Sequence, residues 1–418
     1  MSFAPVGDRR SLQRLPGGGY AYVLVDEGVR IEARYVGRNS YGQVFAEVDV
    51  KADWAGARRH NGSLSCSHQN LSNQAARQAL ATYCEKRAKS RHDDFDWAGA
   101  IDAACIEIIK ACRAGEEAIV LDDAAEVVDQ DHDILGLKIP ADARSMLIAH
   151  GDCLKSMLAL LTLGRLAERG LPVLYVDWEW SADRHRRRKQ RLFGLERLEH
   201  LHYVRCHAPL VVEADRLRRL CDELRIQFIV VDSVGLACDG PLKDDDVAIR
   251  FHRALDSLPA ALCAAHVPKS SLAADSRTAD AVGPFGSVFF SNLCRMCWAV
   301  KKQPGTTEDL VTVGLFPTKQ NDGDRVRHVG LEFSFSADAI GVRNVDLATV
   351  DGLADRLPLA ARMTHLLKRG PMTVAGIATE LGAKEDSVIK AAKRSTTFTK
   401  VLGQDGSSRL ALVERRPA

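Results

Sequence analysis

The stretch SMLIAHGDCLKS, residues 145–156, decides how the central part of this chain folds. A run of apolar residues leads into a short polar loop, and the amphipathic segment MLALLTLGRLAERG follows directly. This pattern predicts a buried strand, a tight turn and a helix, which is the context that a phosphate-binding loop requires. In such loops a lysine reaches the β- and γ-phosphates of the nucleotide, and a hydroxyl binds Mg²⁺. Lys155 and Ser156 occupy those positions and predict a site for ATP and Mg²⁺.

The predicted loop departs from the pattern GxxxxGK(S/T) at both glycine positions, which hold Ala149 and Leu154. Because glycine lets the backbone approach a phosphate closely, the loop alone leaves two interpretations open. It is either a nucleotide site or a helix start that carries a surface lysine. The residues that we expect to contact nucleotide are His150, Gly151, Asp152, Cys153, Leu154, Lys155, Ser156 and Met157.

Three further apolar segments end in residues with acid, base or metal-binding chemistry. They are VLYVDWE (173–179), QFIVVDS (227–233) and ALCAAH (261–266). The carboxyl ends of parallel strands meet at one crevice, so Asp232 is predicted to hold Mg²⁺ together with Ser156. We expect Glu179 to orient and deprotonate the attacking water, and His266 to contact the γ-phosphate. Asp177 is interpreted as structural.

Each of these residues also has a simpler interpretation when it is taken alone. An aspartate such as Asp232 commonly caps the turn after a strand, and a single histidine such as His266 is commonly a hydrogen-bonded filler. Chance rarely supplies four strands that end in Lys155 with Ser156, Glu179, Asp232 and His266. Their combination therefore favours ATP binding.

The fold class follows from the way the pattern changes along the chain. From about residue 144, apolar strands alternate with helices, which predicts an α/β fold with a mostly parallel sheet flanked by helices. After about residue 290 the strands lack intervening helices, which predicts an antiparallel extension of that sheet. The final segment reads as three helices and a hairpin, the layout of a winged helix-turn-helix. The predicted parts are a small α+β domain for interaction or oligomerisation (1–115), an acidic linker (116–140), the core (141–350) and the winged helix (355–418).

The order of elements from 144 to about 345 resembles the RecA-like P-loop ATPases. It is most similar to the branch that contains the RepA-type hexameric helicases and phage AAA-family ATPases. This resemblance implies a RecA-like core and gives Glu179 the part of the catalytic glutamate. It likewise implies that Asp232 is the acid of the Walker B strand and that His266 is the γ-phosphate sensor.

The same resemblance implies a homo-oligomer, a hexameric ring, that acts on DNA. The segment SSLAADSRTADAVGP, residues 270–284, resembles the loop that contacts single-stranded DNA in this family. Arg295 matches a basic position that follows that loop. Lys319 resembles a finger that reaches the γ-phosphate of a neighbouring subunit, while Asn321 stands where many relatives carry a second basic residue.

Several basic residues are candidates for contact with DNA phosphates. They are Lys269, Arg277 and Arg295 in the core, and Lys390, Lys393 and Arg394 on the predicted recognition helix EDSVIKAAKRS. Two interpretations stay open for that helix, because its lysines also suit contact with a protein partner. The run RHRRRK, residues 184–189, is either a solvated helix face or a further phosphate contact.

Composition excludes several classes of protein. The chain has 418 residues, 46% hydrophobic and 27% charged, and a formal net charge of +2, which is typical of a globular protein and does not by itself indicate nucleic acid. Neither a run of eighteen apolar residues nor a signal-peptide pattern occurs, so we expect no membrane partner and a cytoplasmic location. The eleven cysteines lie mostly in apolar segments, and the pair Cys294 and Cys297 has no second pair to complete a zinc site.

Two functions of different kinds follow from these patterns. The first is an ATP-hydrolysing motor that acts on DNA, such as a hexameric replicative helicase or a replication or recombination ATPase of a mobile element. The alternative is a DNA-binding regulator that is switched by nucleotide and hydrolyses it weakly or not at all. The missing glycines favour the regulator, whereas Lys155, Ser156, Glu179 and Asp232 favour the motor. A scaffold without nucleotide ranks last, because it leaves the four strand ends unexplained.

Overall fold

The computed structural model describes residues 10–15, 18–53, 62–88, 94–115, 118–124, 131–267, 285–321, 326–403 and 406–413. The chain divides into two compact units, Met1–Val127 and Val128–Ala418. The first unit is an antiparallel sheet with two helices. The second contains the central sheet that positions the candidate site.

The first unit is built on a five-stranded antiparallel sheet whose strands follow one another in chain order. The strands are β1 (Arg10–Arg14), β2 (Tyr20–Leu24), β3 (Val29–Arg38), β4 (Val44–Ala52) and β5 (Ser63–Asn70). Helices α1 (Gln74–Ala88) and α2 (Trp97–Ala114) follow. Strand β4 alternates buried and half-buried side chains along its whole length, which is typical of a sheet with one face in a core. The sheet is larger than the predicted range 20–50, because β1 and β5 lie outside it.

The second unit contains a nine-stranded sheet with α-helices between its parallel strands. This unit begins with a separate two-stranded sheet of β6 (Asp131–Ile134) and β7 (Leu137–Pro140). The strands of the nine-stranded sheet and the helices between them follow in chain order: β8 (Arg144–Ala149), α3 (Lys155–Glu168), β9 (Val173–Asp177), α4 (Ala182–Phe193), β10 (Leu201–Arg205), α5 (Leu210–Leu224), β11 (Phe228–Asp232), α6 (Val234–Ala237), α7 (Asp245–Leu255), β12 (Ala260–His266), α8 (Phe289–Asn292), β13 (Met296–Lys302), β14 (Leu310–Gln320), β15 (Val329–Phe335) and β16 (Ile340–Val345).

The strand order across this sheet is β10-β9-β11-β12-β8-β13-β14-β15-β16. Neighbours from β10 to β13 run parallel, whereas β14, β15 and β16 continue the sheet antiparallel. Every residue of β9 and of β11 is buried, because both faces of these central strands are covered. The predicted α/β fold with a mostly parallel sheet is confirmed.

Residues Asp131–Pro140, which we assigned to the acidic linker from the sequence, form a β-hairpin of β6 and β7. Ile134, Leu137 and Ile139 are buried in the hydrophobic core that also contains Trp298. The Trp298 ring N–H donates to the backbone oxygen of Lys138 at 3.0 Å. Three apolar side chains outweigh the acidic character of this segment and hold it on the core.

The C-terminal part of the second unit has three short helices and a hairpin. They are α9 (Leu359–Leu367), α10 (Val374–Leu381), α11 (Glu385–Lys393), β17 (Phe398–Leu402) and β18 (Ser408–Leu412). These elements enclose a small core of their own, centred on Met363, Ile377 and Val388, which are all fully buried. Among the described residues, no helix is long and apolar enough to cross a membrane.

Candidate active site

Lys155, Glu179, Asp232 and His266 come together at the carboxyl edge of the parallel strands. In the register of the sheet, Asp232 at the end of β11 stands beside Asp177 at the end of β9. His266 at the end of β12 stands beside Ala149 at the end of β8. Residues more than a hundred positions apart in sequence therefore share one crevice, as the polarity of parallel strands requires.

The loop between β8 and α3 holds its shape without the two consensus glycines. Leu154 has φ 59° and ψ 24°, so it adopts the left-handed conformation in which glycine is favoured. Asp152 is also left-handed, with φ 60°. The Leu154 carbonyl accepts the N–H of Leu158 at 2.8 Å and thereby begins α3. The loop keeps its tight turn at a conformational cost of about 1–2 kcal/mol for each such residue.

Lys155 is almost fully buried, with 7% of its surface exposed, and its amine points back into the loop. The Nζ atom donates to the backbone oxygens of Ala149 at 3.3 Å and His150 at 3.1 Å. It also lies 3.2 Å from Nδ1 of His266. Burial lowers the pKa of Lys155, against the opposing charges of Asp232 and Glu179. A phosphate at this loop would replace the carbonyls as the partner of the amine.

A second lysine that the sequence analysis did not single out adds to the cationic character of the loop. Strand β13 runs beside β8 with Val300 opposite Ala149, so Lys301 is placed next to His150 at the same edge. Burial and the charges of Lys301 and Lys155 lower the pKa of His150. Neighbouring cations of this kind favour an anion such as a phosphate.

Glu179 lies between the loop and the end of β11. The Ser233 hydroxyl donates to its Oε1 atom at 2.6 Å, and Nε2 of His266 lies 3.9 Å from the same oxygen. His266 and Ser233, together with the charge of Lys155, outweigh partial burial and lower the pKa of Glu179 to about 2. The carboxylate is therefore ionised at neutral pH. His266 has one ring nitrogen near Lys155 and the other near Glu179, so it links the two.

Asp232 and Ser156 supply oxygen atoms at the position expected for Mg²⁺. The Tyr175 hydroxyl donates to Oδ2 of Asp232 at 2.5 Å, and the Ser156 hydroxyl also bonds this carboxylate. Burial raises the pKa of Asp232, with the charges of Glu179 and Asp177 acting in the same direction. Tyr175 and Ser233 were not predicted as site residues. Tyr175 lies inside an apolar strand, and the only signal for Ser233 is its position directly after Asp232.

The donor set fits a hard cation that takes part of its ligands from a nucleotide. Among the described residues, no group of three His, Cys, Asp or Glu side chains is arranged to hold a metal ion. A hydroxyl and a carboxylate suit Mg²⁺, which prefers oxygen ligands and commonly completes its shell with phosphate oxygens and water. Cys294 and Cys297 are both buried, and their thiols face the backbone oxygens of Phe290 at 3.3 Å and Ser291 at 3.7 Å.

Asp177 is engaged entirely in shaping the turn that carries Glu179. Its carboxylate accepts the backbone N–H of Glu179 at 2.8 Å and that of Trp180 at 3.1 Å. Nε2 of His185 lies 3.0 Å from Oδ2 of Asp177, and the Tyr203 hydroxyl oxygen lies 3.2 Å from the same atom. Burial alone raises the pKa of Asp177, but these hydrogen bonds outweigh it and the net shift is downward.

Lys319 lies apart from the phosphate-binding loop and is bound within its own chain. Its Nζ atom donates to three backbone oxygens at the end of α8, those of Ser291 at 3.2 Å, Asn292 at 2.6 Å and Cys294 at 2.7 Å. A cation at the C-terminal end of a helix satisfies carbonyls that lack helical partners. Contact with a neighbouring subunit would require Lys319 to leave these carbonyls.

Four of the predicted DNA-contact residues lie in the described part of the chain, Arg295 before β13 and the other three at α11. Arg295 precedes β13 and its N–H donates to the oxygen of Arg144 at 2.8 Å, so it stands at the amino edge of the sheet, opposite the loop. On α11, Lys390 pairs with Asp386 at 2.6 Å. Lys393 and Arg394 are exposed at the end of that helix. The two remaining candidates, Lys269 and Arg277, lie outside the described residues.

Part of the chain is similar to known proteins. Residues 113–271 match the family model described as an AAA domain. Similar solved structures include a KaiC-like protein from the archaeon Pyrococcus horikoshii OT3, with 15% identity over 49% of this chain and 90% of that chain and a TM-score of 0.38. A second is an ATPase domain, with 11% identity over 49% of this chain and 86% of that chain and a TM-score of 0.39. A third is the flagellar accessory protein FlaH of Methanocaldococcus jannaschii, with 12% identity over 48% of this chain and 89% of that chain and a TM-score of 0.35. No curated protein matches the chain. The segment that matches the AAA domain model, 113–271, contains Lys155, Glu179, Asp232 and His266.

Proposed function

We propose that this protein is an ATP-hydrolysing motor that acts on DNA. The observation that carries the proposal is the contact of His266 with both Lys155 and Glu179 at one strand edge, 3.2 Å and 3.9 Å away. A phosphate-binding lysine alone would serve a protein that only holds nucleotide. An ionised carboxylate fixed beside it by Ser233 and His266 is an arrangement suited to hydrolysis.

In the proposed reaction each residue acts mainly by charge and position. Lys155 exchanges its loop carbonyls for the β- and γ-phosphate oxygens. Ser156 and Asp232 would hold Mg²⁺, which would supply positive charge to offset that of the phosphates. Glu179 accepts a hydrogen bond from the attacking water and orients it, while its low pKa makes it a weak proton acceptor. His266 holds the Glu179 carboxylate in position beside the γ-phosphate.

The finer parts of the proposal rest on the resemblance to hexameric helicases. They are a ring-shaped homo-oligomer, a Lys319 finger that acts on the neighbouring subunit, and single-stranded DNA at the loop that contains Lys269 and Arg277. The exposed cations Lys393 and Arg394 at the end of α11 support a second DNA contact. Replication or recombination of a mobile element is the process that this combination would serve.

One observation favours the alternative, a DNA-binding regulator switched by nucleotide. The amine of Lys155 is already satisfied by the carbonyls of Ala149 and His150, and the left-handed Leu154 fills a glycine position with a side chain. A loop in this state could bind nucleotide slowly and retain it. Such a protein would change its DNA affinity with nucleotide but would not turn over.

Steady-state ATP hydrolysis, measured with and without single-stranded DNA, separates these functions. We expect DNA-stimulated turnover in the wild type, its loss in Lys155→Ala, and a decrease of about 10²–10⁴-fold in Glu179→Gln. Glu199→Gln, which removes an exposed carboxylate that pairs with Arg197, is the matched control and should behave as wild type. Tight ATP binding without turnover in the wild type would support the regulator and contradict the motor.

A further inference from the structure

A basic and aromatic pocket opens beside Glu179, on the side of the sheet edge that faces β10. It has a volume of about 580 Å³ and is lined by Glu179, Trp180, Arg184, Tyr203, Arg205 and His207, with Ser181 and Ala182 between them. Of the residues noted so far for DNA contact, Arg184 lies in it, as part of the basic run 184–189. The sequence shows only the basic run 184–189, which has two possible interpretations.

The walls of the pocket are held in place by a network around Trp180. The Tyr203 hydroxyl and the Arg205 guanidinium both donate to the Trp180 backbone oxygen. The guanidinium carbons of Arg184 and Arg188 lie 4.8 Å and 3.9 Å from the centre of the Trp180 ring, within cation–π range. The pocket is therefore preformed, so a ligand does not have to order its side chains on binding.

Helix α4 uses its basic residues in two different ways. Lys189 donates to the Gly194 oxygen at 3.2 Å, and Arg191 donates to the Ser336 oxygen, so both are held on the protein. Arg184 is exposed at the pocket, whereas Arg186 is exposed and lines a neighbouring cavity, which shares Ala182 and Tyr203 with the pocket but not Arg184. The interpretation of the run as a uniform solvated face is therefore incomplete.

We infer that this pocket binds the sugar–phosphate backbone of single-stranded nucleic acid next to the hydrolysis site. The inference rests on the proposed DNA-dependent ATPase and adds where the strand runs. Arg184, Arg205 and His207 supply donors for phosphates, and Tyr203 supplies aromatic surface, the combination that single-strand sites use. A protein partner is less well matched, because the lining contains no aliphatic side chain larger than that of Ala182 to act as an apolar anchor.

The position of the pocket gives it a consequence for catalysis. Glu179 lines it, so a bound phosphodiester would place negative charge near a carboxylate whose pKa is held at about 2. Negative charge nearby raises the pKa of a carboxylate and makes it a better proton acceptor. We therefore expect a strand bound in the pocket to stimulate hydrolysis through its contact with Glu179.

The test is the affinity of the full-length protein for a fluorescein-labelled oligothymidylate, measured by anisotropy over a range of salt concentrations. We expect Arg184→Ala to weaken binding by about 5- to 10-fold and to reduce the salt dependence by about one phosphate contact. His207→Ala should also weaken binding. Arg186→Ala is the matched control, since it removes the same charge from the same helix outside the pocket. It should change the affinity by less than about 2-fold.

Several outcomes would overturn the inference. Wild-type affinity in both pocket variants, or an equal loss in Arg186→Ala, would show that the pocket is not the binding surface. A change in sedimentation without a change in DNA affinity would assign the pocket to contact between copies of the chain. If the wild type binds no oligonucleotide, the inference fails, and the ATP hydrolysis assay then decides separately whether the protein is an ATPase. Pocket-dependent binding without any hydrolysis would support the inference and reject the motor.

Discussion

Asp177 and Asp232 stand side by side at the ends of neighbouring strands, yet their surroundings shift the two carboxyl groups in opposite directions. Burial raises the pKa of Asp232 above its ordinary 3.8. Around Asp177, the donors His185, Glu179 and Trp180 outweigh burial and lower the pKa. Ionisation of Asp232 therefore destabilises the folded state, and a bound cation would offset this destabilisation. The ionised Asp177 instead stabilises the turn after β9.

The two aspartates therefore carry opposite predictions for stability. We expect Asp232→Asn to abolish hydrolysis but to keep or raise the melting temperature at pH 7, because an amide escapes the desolvation cost of a buried charge. A raised folded-state pKa means that the wild type loses stability as the pH rises through it, so the advantage of Asp232→Asn should shrink by pH 4. Calorimetry at both pH values measures this.

Asp177→Asn should behave in the opposite way and lower the stability at pH 7 by about 1.5–3 kcal/mol, since it weakens charge-assisted hydrogen bonds. A lowered folded-state pKa contributes stability that is present above the unfolded pKa, near 3.8, and is lost as the pH falls through the folded value. The destabilisation should therefore shrink in acid. A change of the same sign in both variants at pH 7 would contradict this account of the strand ends.

At the scale of elements, the packing of α4 on α3 positions the basic pocket. Helix α3 is buried on nearly all sides, as expected for a helix that lies between the sheet and other elements. It contains Gly164, where a Cβ atom would lie 2.2 Å from Cζ of Phe193 at the end of α4. The two helices can approach this closely only because position 164 has no side chain.

Gly164→Ala should destabilise the protein by about 1–3 kcal/mol, because the Phe193 ring has to leave its place. Urea unfolding measures the loss, and Phe193→Leu in the same chain should recover part of it. A double-mutant cycle without coupling between the two positions would show that the helices are held together by other contacts.

At the scale of the whole molecule, the proposed oligomer can be tested by mixing two inactive variants. Lys155→Ala removes the phosphate contact, and Lys319→Ala removes the proposed finger, whose contribution to the rate can reach about 10³–10⁵. If Lys319 acts on a neighbouring subunit, mixed oligomers contain intact composite sites and the mixture should hydrolyse ATP. A mixture as inactive as its components would restrict Lys319 to its observed place on the carbonyls of α8. Lys319→Arg keeps a cation at this position. Melting curves of each variant show whether the loss of hydrogen bonds to the end of α8 destabilises the protein.

The amino-acid pattern was sufficient for the architecture of the core and for most of its strand ends. Buried parallel strands read as short apolar runs, and their polarity alone places Lys155, Glu179, Asp232 and His266 at a common edge. These signals are local, because each strand and the residue that follows it are contiguous in sequence. The α/β fold was predicted correctly for the same reason.

The contacts that give those residues their chemistry depend on the register between distant strands. Tyr175 meets Asp232 because β9 and β11 are neighbours, and the Ser233 hydroxyl reaches Glu179 across the same pair. No local pattern marks Tyr175 as different from any other apolar strand residue. Likewise, the hairpin at 131–140 joins the core through three buried side chains that an acidic composition conceals. Periodicity reports which face a residue takes, whereas packing decides which partner it meets, and the electrostatics of this site follow from the partners.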